Sequence, residues 1–168
     1  MKKIKILHVI RPAMGGMKNH LLSLAQNVRE DMFESVVACP EGPMAKEVQA
    51  MNIKTLPIDL KGELSPIHDQ KTIVILRKYL QEQQVDIMHA HGSKAGLVGR
   101  LAGLWAKTPV ILFTAHNSIF YDQWPGWKKS LYANMERLLA QKTKKIIAVS
   151  QALRDEILLQ EMCIRDSL

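Results

Sequence analysis

The chain has 168 residues, 47% of them apolar and 23% charged, which suits one globular domain and excludes a disordered chain. No apolar run approaches the roughly 20 residues needed to cross a bilayer. The net charge of +7 fits anionic partners such as phosphates, nucleotides or lipid headgroups. It fits equally a basic solvated surface, since the lysines are spread along the chain.

The opening run, MKKIKILHVI, has a basic tip and an apolar part broken by Lys5 and His8. No small-residue cleavage site follows, so it reads as a first strand over 3–10 rather than a signal peptide, and a cytoplasmic location is expected. A loop containing Gly15 and Gly16 leads into a helix over Met17–Arg29. ESVVACP (34–40) is a second strand, GPMAKEVQAM (42–51) a short helix with proline in its first turn, and NIKTLPI (52–58) a third strand. After a loop at 59–68, Asp69 is expected to cap a helix running to Gln83. VDIMHAH (85–91) is the fourth strand, and the helix over 93–107 is expected to be capped by Ser93. PVILFTAH (109–116), apolar almost throughout, reads as a strand covered on both faces. A loop with tryptophans precedes a helix over Gly126–Gln141, then a strand over 144–150 and a helix over 151–160. Strands alternating with helices through short connections predict a doubly wound parallel sheet of about six strands, an α/β Rossmann-like fold.

The last eight residues, EMCIRDSL, continue none of this pattern. MCIRDS is similar to translated adaptor sequence, so 161–168 is expected to be a foreign or truncated tail. The two cysteines, Cys39 and Cys163, have no CxxC partner, which argues against a zinc ribbon or a disulfide scaffold. Cys39, at the end of a strand, reads as a small buried hydrophobe.

In a parallel sheet, ligands bind beyond the carboxyl ends of the strands. The residues at those ends are Arg11 to Gly16, then His89, His91, Gly92 and Ser93, then Thr114, His116 and Asn117, and finally Ser150. Gly15-Gly16 admits two readings: a tight turn, or a backbone that approaches an anion at a helix N-terminus. The loop is not GxGxxG, no acidic residue ends the second strand, and no Walker A lysine follows, so dinucleotide oxidoreductases and P-loop enzymes lose support. There is no GxSxG elbow and no nucleic-acid module, so no nucleic acid partner is expected.

His89 and His91 lie at i and i+2 on one face, a pair able to hold a metal. No third ligand stands at a suitable spacing, so no metal site is expected, and one packed and one ligand-facing histidine is the preferred reading. His116, at the end of the most apolar strand and next to Asn117, is either a satisfied structural histidine or a group that hydrogen-bonds and moves protons near neutral pH. Gly92, Gly96, Gly99 and Gly103 form a small-residue stripe for close helix-on-sheet packing. In 124–145, Trp127, Leu131, Met135, Leu138 and Leu139 share a helical face. That face predicts an ordinary core-facing helix, and a basic amphipathic helix on an anionic membrane is the other reading.

Four segments in this order, GGMKNHLLSLA (15–25), VDIMHAHGSKAGLVGRLAG (85–103), TPVILFTAHN (108–117) and IIAVSQALRDEI (146–157), resemble the N-terminal domain of retaining GT-B glycosyltransferases of family 4. The resemblance covers most of the chain. It implies transfer of a sugar from a nucleotide-sugar donor to an acceptor with retention, with no metal or other cofactor. By the same resemblance, Gly15 and Gly16 lie near the donor phosphates and sugar. His116 orients the sugar and stabilises charge, and His91, Gly92, Ser93 and Asn117 line the acceptor side. It implies residues 1–160 as one half of the enzyme, with a donor-binding C-terminal domain carrying Glu-x7-Glu that these residues lack. Little activity is therefore expected of the 168 residues alone, and peripheral contact with the inner face of a membrane is compatible. The alternatives are a stand-alone Rossmann-like module that binds an anionic ligand or a protein partner without catalysis, and a sugar-nucleotide 2-epimerase, whose loop motifs fit less well.

Overall fold

The computed structural model describes residues 2–61, 65–117 and 126–159, without the side chains of 126–129 and 159. In chain order the elements are β1 (Ile4–Ile10), α1 (Gly16–Asn27), β2 (Phe33–Cys39), α2 (Pro43–Ala50), β3 (Lys54–Pro57) and α3 (Pro66–Glu82). They continue as β4 (Ile87–His91), α4 (Ser93–Ala106), β5 (Val110–Ala115), α5 (Gly126–Ala140), β6 (Lys145–Ala148) and α6 (Gln151–Leu159). The strands form one six-stranded sheet in the order β3-β2-β1-β4-β5-β6, and every neighbouring pair is parallel. This is the doubly wound arrangement expected from the alternating pattern, reversing direction between β1 and β4.

Alternation along the strands separates two packed layers. Leu7, Val9, Val36, Ala38, Met88, Ala90, Ile111 and Phe113 pack with Ile73, Leu76 and Leu80 of α3 and Ala95, Val98 and Ala102 of α4. On the other face Ile10, Val37 and Cys39 pack with Leu21 and Leu22 of α1 and Met44, Ala45 and Val48 of α2. Cys39 is fully buried as expected, and burial pushes its thiol up to about 11. The glycine stripe of α4 lies on the sheet. A Cβ on Gly96 would stand 2.5 Å from the Phe113 ring, one on Gly99 3.3 Å from Ala90 Cβ, and one on Gly103 3.1 Å from Ile111.

Three local expectations are corrected. Ser65, not Asp69, is the N-cap of α3. From one turn inside the helix the Asp69 carboxylate accepts the N–H of the cap residue Ser65 at 3.1 Å and forms a buried ion pair with Lys94. Gly92, not Ser93, caps α4, because the reversal out of β4 needs φ +77. Among the described side chains of α5, which leave out Trp127, the buried ones are Tyr132, Glu136 and Leu139, while Leu131 and Leu138 are exposed. The reason is an ion pair: Glu136 receives both of its short bonds, 2.6 Å each, from Arg100 Nη2 of α4. Both partners are buried, and the Arg100 guanidinium also sits 4.3 Å over the Phe113 ring. The helix turns its charged residue inward to meet that arginine. The tryptophan loop and the tail 161–168 lie outside the described residues.

Candidate functional site

The reversal between β1 and β4 leaves a crevice at their carboxyl ends, the place where open parallel sheets bind ligands. Two helices begin there. α1 starts after Gly15, at φ 67, and α4 after Gly92. Neither cap residue makes a side-chain cap bond, and neither helix has an acidic residue in its first turn. Both therefore present N–H groups and positive dipole ends toward this edge. A Cβ on Gly15 or Gly16 would meet nothing within 4 Å, so the strip beside this turn is open. Gly92 is different, since a Cβ there would lie 2.9 Å from Met17 Sδ.

The register of the sheet sets the imidazoles. His8 pairs with His89 and Ile10 with His91 across β1 and β4, and His91 pairs with Thr114 across β4 and β5. Paired residues share a face, so His8, His89, His91 and Thr114 all point to the α1 side. His89 Nε2 is 2.8 Å from Thr114 Oγ1. His8 Nδ1 is 3.2 Å from His91 Nε2, and His91 Nδ1 is 3.5 Å from His116 Nε2. His20 of α1 closes the group, its ring centroid 5.2 Å from that of His116 and 6.2 Å from that of His91. His8, His89 and His91 are buried, whereas His20 and His116 are half-buried at the edge.

The rings of His8, His89, His91 and His116 are neutral at neutral pH. Burial, followed by the charge of His89, pushes His8 down to about 3. Burial, then His20 and His116, pushes His89 down to about 4. Burial and then His20 push His116 down to about 4, and burial holds His91 well below its ordinary value. A neutral imidazole carries one donor and one acceptor. This edge can therefore bind hydroxyl groups in either sense, while the helix N-termini favour an anion.

Gly15, Gly16, His91, Gly92, Ser93 and His116 thus converge on one edge, and exposed Asn117 follows His116 there. His91 lies beneath this edge rather than on it, being fully buried. The Ser93 hydroxyl is buried with no protein partner, a free polar group at the start of α4. The spacing of His89 and His91 offered no third ligand, but the fold supplies candidates from other elements. Groups of three histidine nitrogens within 4.8 Å of one another are formed by His8, His89 and His91 and by His20, His91 and His116. Sequence reasoning passed over His8 and His20. The signal for His8 was its parity with Ile10 on the first strand, readable only once β1 is known to lie beside β4; His20 had none, because its place depends on how α1 lies over the sheet.

Known proteins share this fold and part of this sequence. Residues 14–161 match Glycosyltransferase Family 4. The UDP-Gal:alpha-D-GlcNAc-diphosphoundecaprenol alpha-1,3-galactosyltransferase of Escherichia coli is 29% identical over 170 residues, covering 98% of this chain and 41% of the relative. A glycosyltransferase from Rickettsia africae ESF-5 superposes with a TM-score of 0.73 at 19% identity, over 94% of this chain and 40% of that one. Anabaena Alr3699/HepE, solved in complex with UDP and glucose, gives a TM-score of 0.69 at 19% identity, over 94% of this chain and 41% of that one. The chain therefore spans about two-fifths of the length of these proteins. With a family match across most of its residues and the six-stranded Rossmann-like half of the GT-B fold, the chain belongs to Glycosyltransferase Family 4.

Proposed function

We propose that this chain is the acceptor-side half of a glycosyltransferase that moves a hexose from a nucleotide-sugar to an acceptor with retention of anomeric configuration, needing no metal for transfer. The observation that carries this reading is the edge between β1 and β4. Two helix N-termini and an open glycine strip meet there beside the neutral ring of His116. Backbone N–H groups of Gly15 and Gly16 suit the negative charge that develops on a departing diphosphate. His116 and Asn117 suit sugar hydroxyls, and Ser93 suits an acceptor hydroxyl. The rest of the donor site belongs to a second domain, which this reading places in the remaining length of the relatives.

The donor class to try first is a uridine diphosphate hexose, because the Escherichia coli relative is named for UDP-Gal and the Anabaena structure holds UDP and glucose. The acceptor to try first is a lipid-linked sugar diphosphate, again from the Escherichia coli name. Among the described residues no helix is long and apolar enough to cross a membrane. Peripheral contact with an anionic surface is proposed through the exposed Leu131 and Leu138 of α5. Co-sedimentation of the full-length protein with anionic vesicles tests it, and no binding at low salt removes it.

The test of function is transfer by the full-length protein, with the product's anomeric proton read by NMR. His116→Ala is expected to lower kcat by about 100-fold, as loss of a preorganised donor does. Turnover unchanged in that variant, or an inverted product, would overturn the reading.

A further inference from the structure

Five of the chain's six histidines gather around the crevice, and hydrogen bonding to a sugar does not call for five. Their nitrogens are spaced for something else. Zinc–nitrogen bonds of about 2.0–2.1 Å in a tetrahedron set ligand nitrogens ~3.3 Å apart. His91 Nδ1 and His116 Nε2 already stand 3.5 Å apart. One nitrogen from each of His20, His91 and His116 lies within 4.8 Å of the other two, so the half-buried α1 side chain has only about 1.5 Å to close.

The remaining nitrogen of His91 is also arranged for a ligand. A metal-bound imidazole usually donates its other N–H to a fixed acceptor, which sets the tautomer. His91 Nε2 faces His8 Nδ1 at 3.2 Å, so His8 can take that role. The inner group of His8, His89 and His91 is a poorer host. All three are buried, which leaves a hydrated ion no exposed ligand to approach first, and His89 Nε2 is engaged by Thr114.

We propose that His20, His91 and His116 bind one divalent ion of the Zn²⁺, Co²⁺, Ni²⁺ or Cu²⁺ class at the carboxyl edge between β1 and β4, with a fourth position left to water. Three neutral nitrogens select such borderline ions over Mg²⁺ and Ca²⁺, which prefer oxygen. The ion is not needed for glycosyl transfer, although the two sites share His116. Where both hold, the ion and the sugar compete for His116.

The experiment is equilibrium dialysis of the 168-residue chain against Zn²⁺ alone, with the visible spectrum of the Co²⁺ form as a second readout. One equivalent of Zn²⁺ is expected, together with the intense bands of tetrahedral Co²⁺. His20→Ala and His116→Ala should each weaken binding by at least about ten-fold, since removing even a partner of a ligand costs that much. His68→Ala, on the exposed histidine paired with Asp59, should leave it unchanged. A measurement on the unaltered chain needs no variant to fold: Zn²⁺ should protect His20 and His116, but not His68, from diethyl pyrocarbonate, read by peptide mass. Absence of a stoichiometric ion, unchanged affinity in the His20 and His116 variants, or equal modification with and without Zn²⁺ would overturn the proposal. None of these readouts depends on transferase activity, so they remain distinct from the test of function.

Discussion

At the scale of single residues, Gly15 and Gly16 separate structure from function, although they are neighbours of one kind. Gly15 holds φ 67 with ψ −141, a region essentially reserved for glycine that costs another residue about 1–3 kcal/mol. Gly16 is the first residue of α1 with open space around its missing Cβ. Gly15→Ala is therefore expected to destabilise the fold by about 1–3 kcal/mol. Gly16→Ala should stabilise it by up to ~1 kcal/mol through loss of unfolded-chain entropy. In the full-length protein the same Gly16→Ala should slow transfer, because its methyl group enters the strip proposed for the donor. Urea unfolding beside a transfer assay checks both, and faithful transfer by Gly16→Ala would return the pair to a plain turn. The histidines supply a second expectation at this scale. His8 and His89 are pushed down from 6.5 to about 3 and about 4. Between those values and 6.5 the unfolded chain binds more protons, so stability is complete above 6.5 and lost as pH falls. Each of the two histidines removes ~1.4 kcal/mol per pH unit across its window. Urea midpoints in chelator-containing buffer should fall between pH 7 and pH 5, and equal midpoints would show that these rings do not stay neutral in the fold.

At the scale of elements, α4 is clamped from two sides: its glycines lie on β4 and β5, and Arg100 reaches across to Glu136 of α5. The ion pair is fully desolvated, so breaking one partner strands a buried charge. Glu136→Ala is expected to cost 3–5 kcal/mol, on the order found for such pairs. Arg100→Met with Glu136→Leu should cost less than Glu136→Ala alone, because no charge remains to be buried. Thermal unfolding of the three proteins decides this, and a Glu136→Ala cost under about 1 kcal/mol would mean that water reaches the pair. This pair also explains why the sequence reading of α5 went astray. Leu131, Met135 and Leu138 form a respectable apolar stripe, but periodicity weighs hydrophobicity alone and has no means to see an arginine waiting 36 residues earlier. The strands were legible because they are β-branched runs between glycine and proline punctuation. The caps were less so: Asp69 has the chemistry of a cap, yet Lys94, 25 residues away, takes its carboxylate. In the site, the strand-end residues were legible from topology. The imidazole cluster was not, because it needs the register that sets His8 against His89.

At the scale of the whole molecule, the sheet is a finished object, whereas under the proposed function the site is one half. Six parallel strands are covered by two packed layers, which is enough buried apolar surface for a domain of this size to fold cooperatively. The crevice, by contrast, presents one wall. The named groups on that wall are backbone N–H groups, imidazoles, a hydroxyl and an amide, which together can steady an anion and orient a sugar but do not enclose a nucleotide. Catalysis by positioning and charge stabilisation requires the reacting groups to be held within a water-excluding site, and an open edge cannot exclude water. The 168-residue chain by itself is therefore expected to unfold in a single transition yet transfer no measurable sugar from UDP-galactose or UDP-glucose, whereas the full-length protein does so. Calorimetry and a radiolabelled donor assay on the same preparations check the two halves of this expectation independently. A cooperative transition with turnover by the chain alone would mean that this wall holds the donor unaided. A chain that does not fold alone would mean that the proposed second domain stabilises the sheet as well as completing the site.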